Sequence, residues 1–265
     1  MIRGLYTAAA GMMLQQSRED VVANNLANVN TSGFKKDLAR AQSYPTQSIY
    51  RLGEEVKDEK QMDQPVKPVY IGELGTGAVI NAISTDHTQG LLKETGNATD
   101  VALAGEGYFF AVNTPQGVRY TRDGGFKINP EGTLVNNSGY PIMVANGSSL
   151  QITGGQFSIN DKGQAVVLQN GNTEVLGTIA IFRADPTLME KRGDNLYEAL
   201  VDPEAVDLES QPTLLKSGYL EGSNVNAVRE MVDMIEVVRV YEMNQKVAQS
   251  EDSLLDTAIN TVGRV

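Results

Sequence analysis

From Ser223 onward the apolar positions follow a seven-residue rhythm: Met234, Tyr241, Ala248, Leu255 and Val262 stand one heptad apart. Val240, Val247 and Leu254 sit one residue before three of them and widen the seam to two columns. No Pro and no Gly occurs between Ser223 and Gly263. A seven-residue apolar repeat predicts a helix that lies along another helix in a supercoil. Ser223 or Asn224 suits its cap, because a short polar side chain accepts from a free backbone N–H of the first turn. At 1.5 Å per residue such a helix is about 57 Å long. At the other end, Ile2 to about Asn28 predicts a second amphipathic helix, interrupted only by Gly4 and Gly11. Leu5, Ala9, Met12, Met13, Val22, Leu26 and Val29 form its stripe. It stops in Asn28-Val29-Asn30-Thr31-Ser32-Gly33, where Asn and Gly tolerate the left-handed conformation that ends a helix.

Between His87 and Gly218 the period changes to two. Val101-Ala102-Leu103, Tyr108 to Val112, Val118 to Thr121 and Phe126-Lys127-Ile128 read as short strands separated by Pro/Gly and Asp/Gly turns. Phe157-Ser158-Ile159, the turn Asn160-Asp161-Lys162-Gly163 and Ala165 to Leu168 predict a hairpin. Val175 to Phe182 is the longest apolar run and reads as a central strand. The spacing of these turns predicts an all-β barrel or sandwich. The stretch 41–85 reads as a linker or an extension arm: Arg51 to Lys60 is a mixed-charge run, and Pro65 and Pro68 exclude a long helix there. The expected fold class is therefore α+β. Discontinuous helices at residues 1–40 and 220–265 form a coiled-coil module, 41–85 is the arm, and 86–219 is the β-domain.

Composition narrows the chemistry. The 265 residues contain no Cys, which removes disulfides, thiol catalysis and Cys-ligated metals. A net charge of −11 disfavours nucleic acid and anionic lipid, whose binding needs clustered Lys and Arg. No apolar run reaches the length of a membrane span. Leu5 to Leu14 has a short signal-like core, but Tyr6 and Thr7 dilute it and no cleavage site follows, so it reads as helix. The only His, His87, lacks a nucleophile or fellow ligands and reads as a surface loop residue. Gly72, Gly75 and Gly77 have the gaps of a dinucleotide loop in the wrong order. No catalytic, cofactor or metal site is expected.

Three segments carry a family resemblance. Ala23 to Lys35 (ANNLANVNTSGFK), Asp100 to Phe109 with Tyr120 to Gly124, and Leu220 to Val228 with Tyr241 to Asn244 are similar to signatures of the bacterial flagellar rod and hook proteins. The resemblance implies a structural subunit of the basal-body rod that polymerises through its terminal helices into a torque-transmitting tube. It also implies rod and hook proteins as partners, and export through the flagellar type III apparatus without signal cleavage to a site outside the cytoplasm. Leu5, Met12, Val22, Leu26, Asn28, Met234, Tyr241, Ala248, Leu255 and Val262 are the expected interface residues. An adhesin with an exposed aromatic face (Tyr108, Tyr120, Tyr140) and a peptidoglycan hydrolase are the alternatives.

Overall fold

The computed structural model describes residues 2–44, 46–51, 68–75, 77–152, 154–169, 172–208 and 214–262, and for residues 2, 261 and 262 the backbone only. Helix α1 spans Ile2–Ala27 and helix α2 spans Ala227–Thr257, with a π-helical turn at Ala258–Val262. Among the described residues the stretch between them is strand, turn and loop with one short 3-10 helix at Pro186–Leu188, so the fold is α+β.

The chain divides into two compact units. The first joins Met1–Asn24, Asp37–Ser84 and Val228–Val265. Its helices run antiparallel, as two glycines record: a Cβ on Gly4 would lie 2.6 Å from Glu251 Oε1, and one on Gly11 would lie 2.8 Å from Asn244 Nδ2. The described residues of the arm in this unit form two strand pairs. Asp37–Ser43 pairs with Ala78–Thr85, and Gln47–Arg51 pairs antiparallel with Val69–Leu74, in the register Gln47 to Leu74 and Arg51 to Val69. Tyr50 and Tyr70 meet edge to face across it, ring centroids 5.7 Å apart. Gly77 brings the arm so close to α1 that an added Cβ would sit 2.8 Å from that of Ala10. Most of the mixed-charge run 51–60, and Pro65, lie outside the described residues.

The second unit, Asn25–Lys36 with Thr85–Ala227, holds the β-domain. An antiparallel six-stranded sheet runs Met189–Lys191, Leu196–Ala199, Gly117–Thr121, Tyr108–Thr114, Ile181–Arg183, Glu204–Ala205. A three-stranded sheet contains the expected hairpin, Gln156–Ile159 against Gln164–Gln169, with Asn172–Thr178 alongside. Short two-stranded pieces complete the unit, and among the described residues no closed barrel forms. Leu103, Phe110, Leu134, Ile159, Ile181 and Leu215, all nearly inaccessible, belong to one core. Burial of such side chains contributes about 1.5–3 kcal/mol each.

Two sequence expectations change. The apolar run Val175 to Phe182 is not one central strand. It breaks at Ile179 and Ala180, whose N–H groups donate to Gly163 O (2.8 Å) and Met143 O (3.0 Å), so its two halves serve different sheets. Only Ile179, Ala180 and Ile181, where the chain crosses from one sheet to the other, are buried, and Val175 at the start of the run is exposed. Asn224 does not cap α2. Its Oδ1 accepts from Lys36 N (2.7 Å) and its Nδ2 donates to Asp86 O (2.9 Å), tying three separate segments together.

Candidate assembly surface and signature cluster

Burial along α2 follows a four-three alternation. Glu230, Met234, Val237, Tyr241, Asn244, Ala248, Glu251 and Leu255 lie on one arc; Glu230 and Val237 are fully buried, and Tyr241 is the most open of the eight, at 37%. The expected column Met234, Tyr241, Ala248 and Leu255 therefore lies on the protected side, and its companion is not Val240, Val247 and Leu254. Val240 is half-buried, but Val247 and Leu254 are about half exposed and do not continue its column, and the companion column contains Glu230, Asn244 and Glu251. Polar residues at those positions gave no apolar signal. On α1 the most protected positions are Asn25, Ala8 and Gln15, with Val21 close behind. Met12, Val22 and Leu26 are half-buried, as is Asn28 just beyond the helix, whereas Leu5 is exposed. The side chain of Val262 lies outside the described residues.

Sequence reasoning passed over the opposite side of α2. Val228, Met231, Val232 and Ile235 recur at i, i+3, i+4 and i+7, one helical face, and are 72%, 51%, 58% and 53% exposed. Tyr6 and Met13 of α1 are 68% and 70% exposed. A run of large apolar side chains in water marks a surface awaiting a partner. The 3.6-residue spacing of the α2 group was present in the sequence, beneath the stronger heptad signal.

In the second unit the three signature segments converge on one buried carboxylate. Glu221, on the strand Tyr219–Glu221, accepts from Lys35 Nζ (2.6 Å) and Gly90 N (2.9 Å) at Oε1, and from Arg122 Nε (2.7 Å) at Oε2. All three charged side chains are at most 2% exposed. Lys35 also donates to Thr88 O (2.7 Å), and Arg122 to the carbonyls of Tyr108 and Gly105. Burial pulls the Lys35 pKa down, against the opposing charge and hydrogen bond of Glu221. Beside this cluster Asp123 accepts from Ser32 Oγ (2.5 Å), Gly125 N (3.0 Å) and Asn137 Nδ2 (2.8 Å). Gly33, with φ of 65°, lets the helix-stop turn press onto this point; a Cβ there would lie 2.5 Å from the Arg122 carbonyl carbon. These charged groups bond to one another and to backbone groups of the chain itself, so the cluster fastens segments together.

His87 lies in a loop, as expected, but is half-buried rather than open to solvent. Its ring packs 5.6 Å from Tyr197 and 6.2 Å from Phe109, centroid to centroid. Burial, then the positive charges of Lys35, Lys191 and Arg122, lower its pKa to about 4. The unfolded chain protonates His87 near pH 6.5 and the folded chain only near 4. The contribution of neutral His87 is thus complete above pH 6.5 and falls away as the pH drops towards 4. His87→Gln is expected to flatten that part of the profile, which urea denaturation at pH 7, 6 and 5 measures.

Among the described residues no cluster of three or more His, Asp or Glu is arranged to hold a metal ion, and no helix is long and apolar enough to cross a membrane. Tyr120 is buried, and Tyr108 and Tyr140 pack on the main core, so the aromatic face of a carbohydrate-binding surface is not formed by them.

Family models match in three places. These are the flagella basal body rod protein at residues 5–35, the flagellar hook protein FlgE/F/G D1 domain at 102–183, and the flagellar basal body rod FlgEFG protein C-terminal region at 216–261. The flagellar basal-body rod protein FlgG of Bacillus subtilis is 33% identical, over 98% of this chain and 99% of its own. FlgG of Buchnera aphidicola subsp. Baizongia pistaciae is 36% identical, over 96% and 98%. The flagellar basal-body rod protein FlgF of Caulobacter vibrioides is 33% identical over the full length of both.

Proposed function

This chain belongs to the flagellar basal-body rod protein family, and from that premise we propose that it polymerises through its terminal helices into a helical tube that transmits torque. It is a structural subunit of the basal body and not an enzyme. The observation that carries the assembly reading is the exposed face Val228, Met231, Val232 and Ile235 on a helix whose other side is already occupied. Such a face, met head to tail by the next copy with a rotation that does not close, generates a helical polymer. The expected interface residues Leu5, Met12, Val22, Leu26, Asn28, Met234, Tyr241, Ala248, Leu255 and Val262 divide within this reading. Leu5 reaches neighbouring copies, whereas Met234, Tyr241, Ala248 and Leu255 shape the arc that bears on α1. The coiled-coil character of the helix pair belongs to the same proposal. Copies of this chain and other rod and hook proteins are the partners. The chain reaches them through the flagellar export apparatus without signal cleavage and works in the periplasmic part of the rod.

Electron microscopy of isolated basal bodies, labelled with an antibody to the β-domain, tests the placement. Label confined to the rod is the expected result, and basal bodies that lack the label altogether would refute it.

A further inference from the structure

The α1–α2 seam is unusual in its second column. Met234, Tyr241, Ala248 and Leu255 are apolar and would suit any apolar helix, including α2 of another copy. The alternating positions carry Asn244 and Glu251, seven residues apart. Across the seam stand Gly4 and Gly11, also seven apart, and each polar side chain fills the space that a glycine leaves. Between and beside the glycines, Ala8 is 4% exposed and Gln15 is 7% exposed. Gln15 Oε1 and Glu251 Oε2 are buried there without a hydrogen-bond partner. Burying polar atoms without partners destabilises a seam, so these residues do not maximise its strength. They discriminate instead.

We infer that Gly4, Gly11, Asn244 and Glu251 select the partner of α2: they admit α1 in one register and refuse a second α2. Two α2 helices paired in parallel register would set Glu251 against Glu251 and Asn244 against Asn244, with no glycine to receive them. Sliding α1 by one heptad brings a glycine opposite Val237 or Ala258 and leaves one polar side chain without its gap. A single polar residue in an otherwise apolar seam is the best-attested device for fixing register and oligomeric state. In an assembling protein this keeps α2 from homodimerising before it reaches the polymer. Only that use rests on assembly through the helices; the selection itself is a property of the isolated subunit.

The natural absence of Cys allows a clean test in the full chain, with Leu255→Cys as reporter. In the otherwise natural sequence the purified protein is expected to be monomeric by light scattering, with little cross-linking on mild oxidation. Asn244→Leu with Glu251→Leu removes the polar knobs, and Gly4→Leu with Gly11→Leu fills the gaps from the other side. Each double variant is expected to form dimers at a Kd about tenfold or more below that of the natural seam, cross-linked through Leu255→Cys. Two variants that stay as monomeric as the natural chain would overturn the inference, as would a natural chain that dimerises equally well through α2. Failure of motility with a monomeric natural seam would instead count against the assembly reading alone.

Discussion

Glu221→Ala is expected to destabilise the β-domain by about 3–5 kcal/mol, the range for removing one partner from a buried ion cluster. Lys35 and Arg122 would remain at 1–2% exposure with their shared anion gone. Their remaining bonds, to Thr88 O and to the carbonyls of Gly105 and Tyr108, carry no negative charge with which to balance two cations. A typical domain is stable by about 5–15 kcal/mol, so the loss is a large fraction of the whole. The effect also reaches across the chain, because Lys35 and Glu221 are 186 positions apart. Glu221→Gln keeps the shape and one acceptor oxygen and is expected to lose less. Adding Lys35→Met to Glu221→Gln is expected to recover part of the loss, since one stranded cation is then removed. Denaturant titration of the four proteins of that cycle gives the coupling directly. Additive losses would contradict the reading of one shared cluster.

The second large effect is on assembly. Met231→Asp combined with Ile235→Asp places two charges on the exposed side of α2, where both side chains are more than half accessible. The isolated subunit is expected to keep its melting temperature within about a degree, because surface changes of this kind usually alter stability by less than 0.5 kcal/mol. Swimming is expected to be abolished, because a partner covering this face would have to bury both charges unpaired. Met234→Asp or Leu255→Asp should also stop motility, but by loosening α1 from α2 within the subunit. The two classes separate by helix melting in the purified protein, which only the second class lowers.

Both helices and most strands were legible because periodicity is a local property. The heptad column of α2 and the 156–169 hairpin were read from neighbouring residues alone. The glycine side of the seam was not, because Gly4 and Gly11 carry no apolar signal and their role appears only opposite Asn244 and Glu251. The ion cluster was invisible for a different reason. Lys35, Arg122 and Glu221 each lie inside a signature segment, yet nothing local says that all three share one buried carboxylate. His87 was misplaced on the surface because its neighbours Asp86 and Thr88 are polar, while Phe109 and Tyr197, which cover it, are distant in sequence. The run from Val175 to Phe182 was read wrongly as one central strand: only Ile179, Ala180 and Ile181 are buried, and an apolar run does not say which sheet receives each half.

The central claim is that the outward face of α2 is covered by neighbouring copies in the rod. Thiol reactivity at Ile235→Cys, the only cysteine in that variant, measures this directly. The account predicts rapid labelling in the purified subunit and strong protection in isolated basal bodies from swimming cells. Equal labelling in both would contradict it.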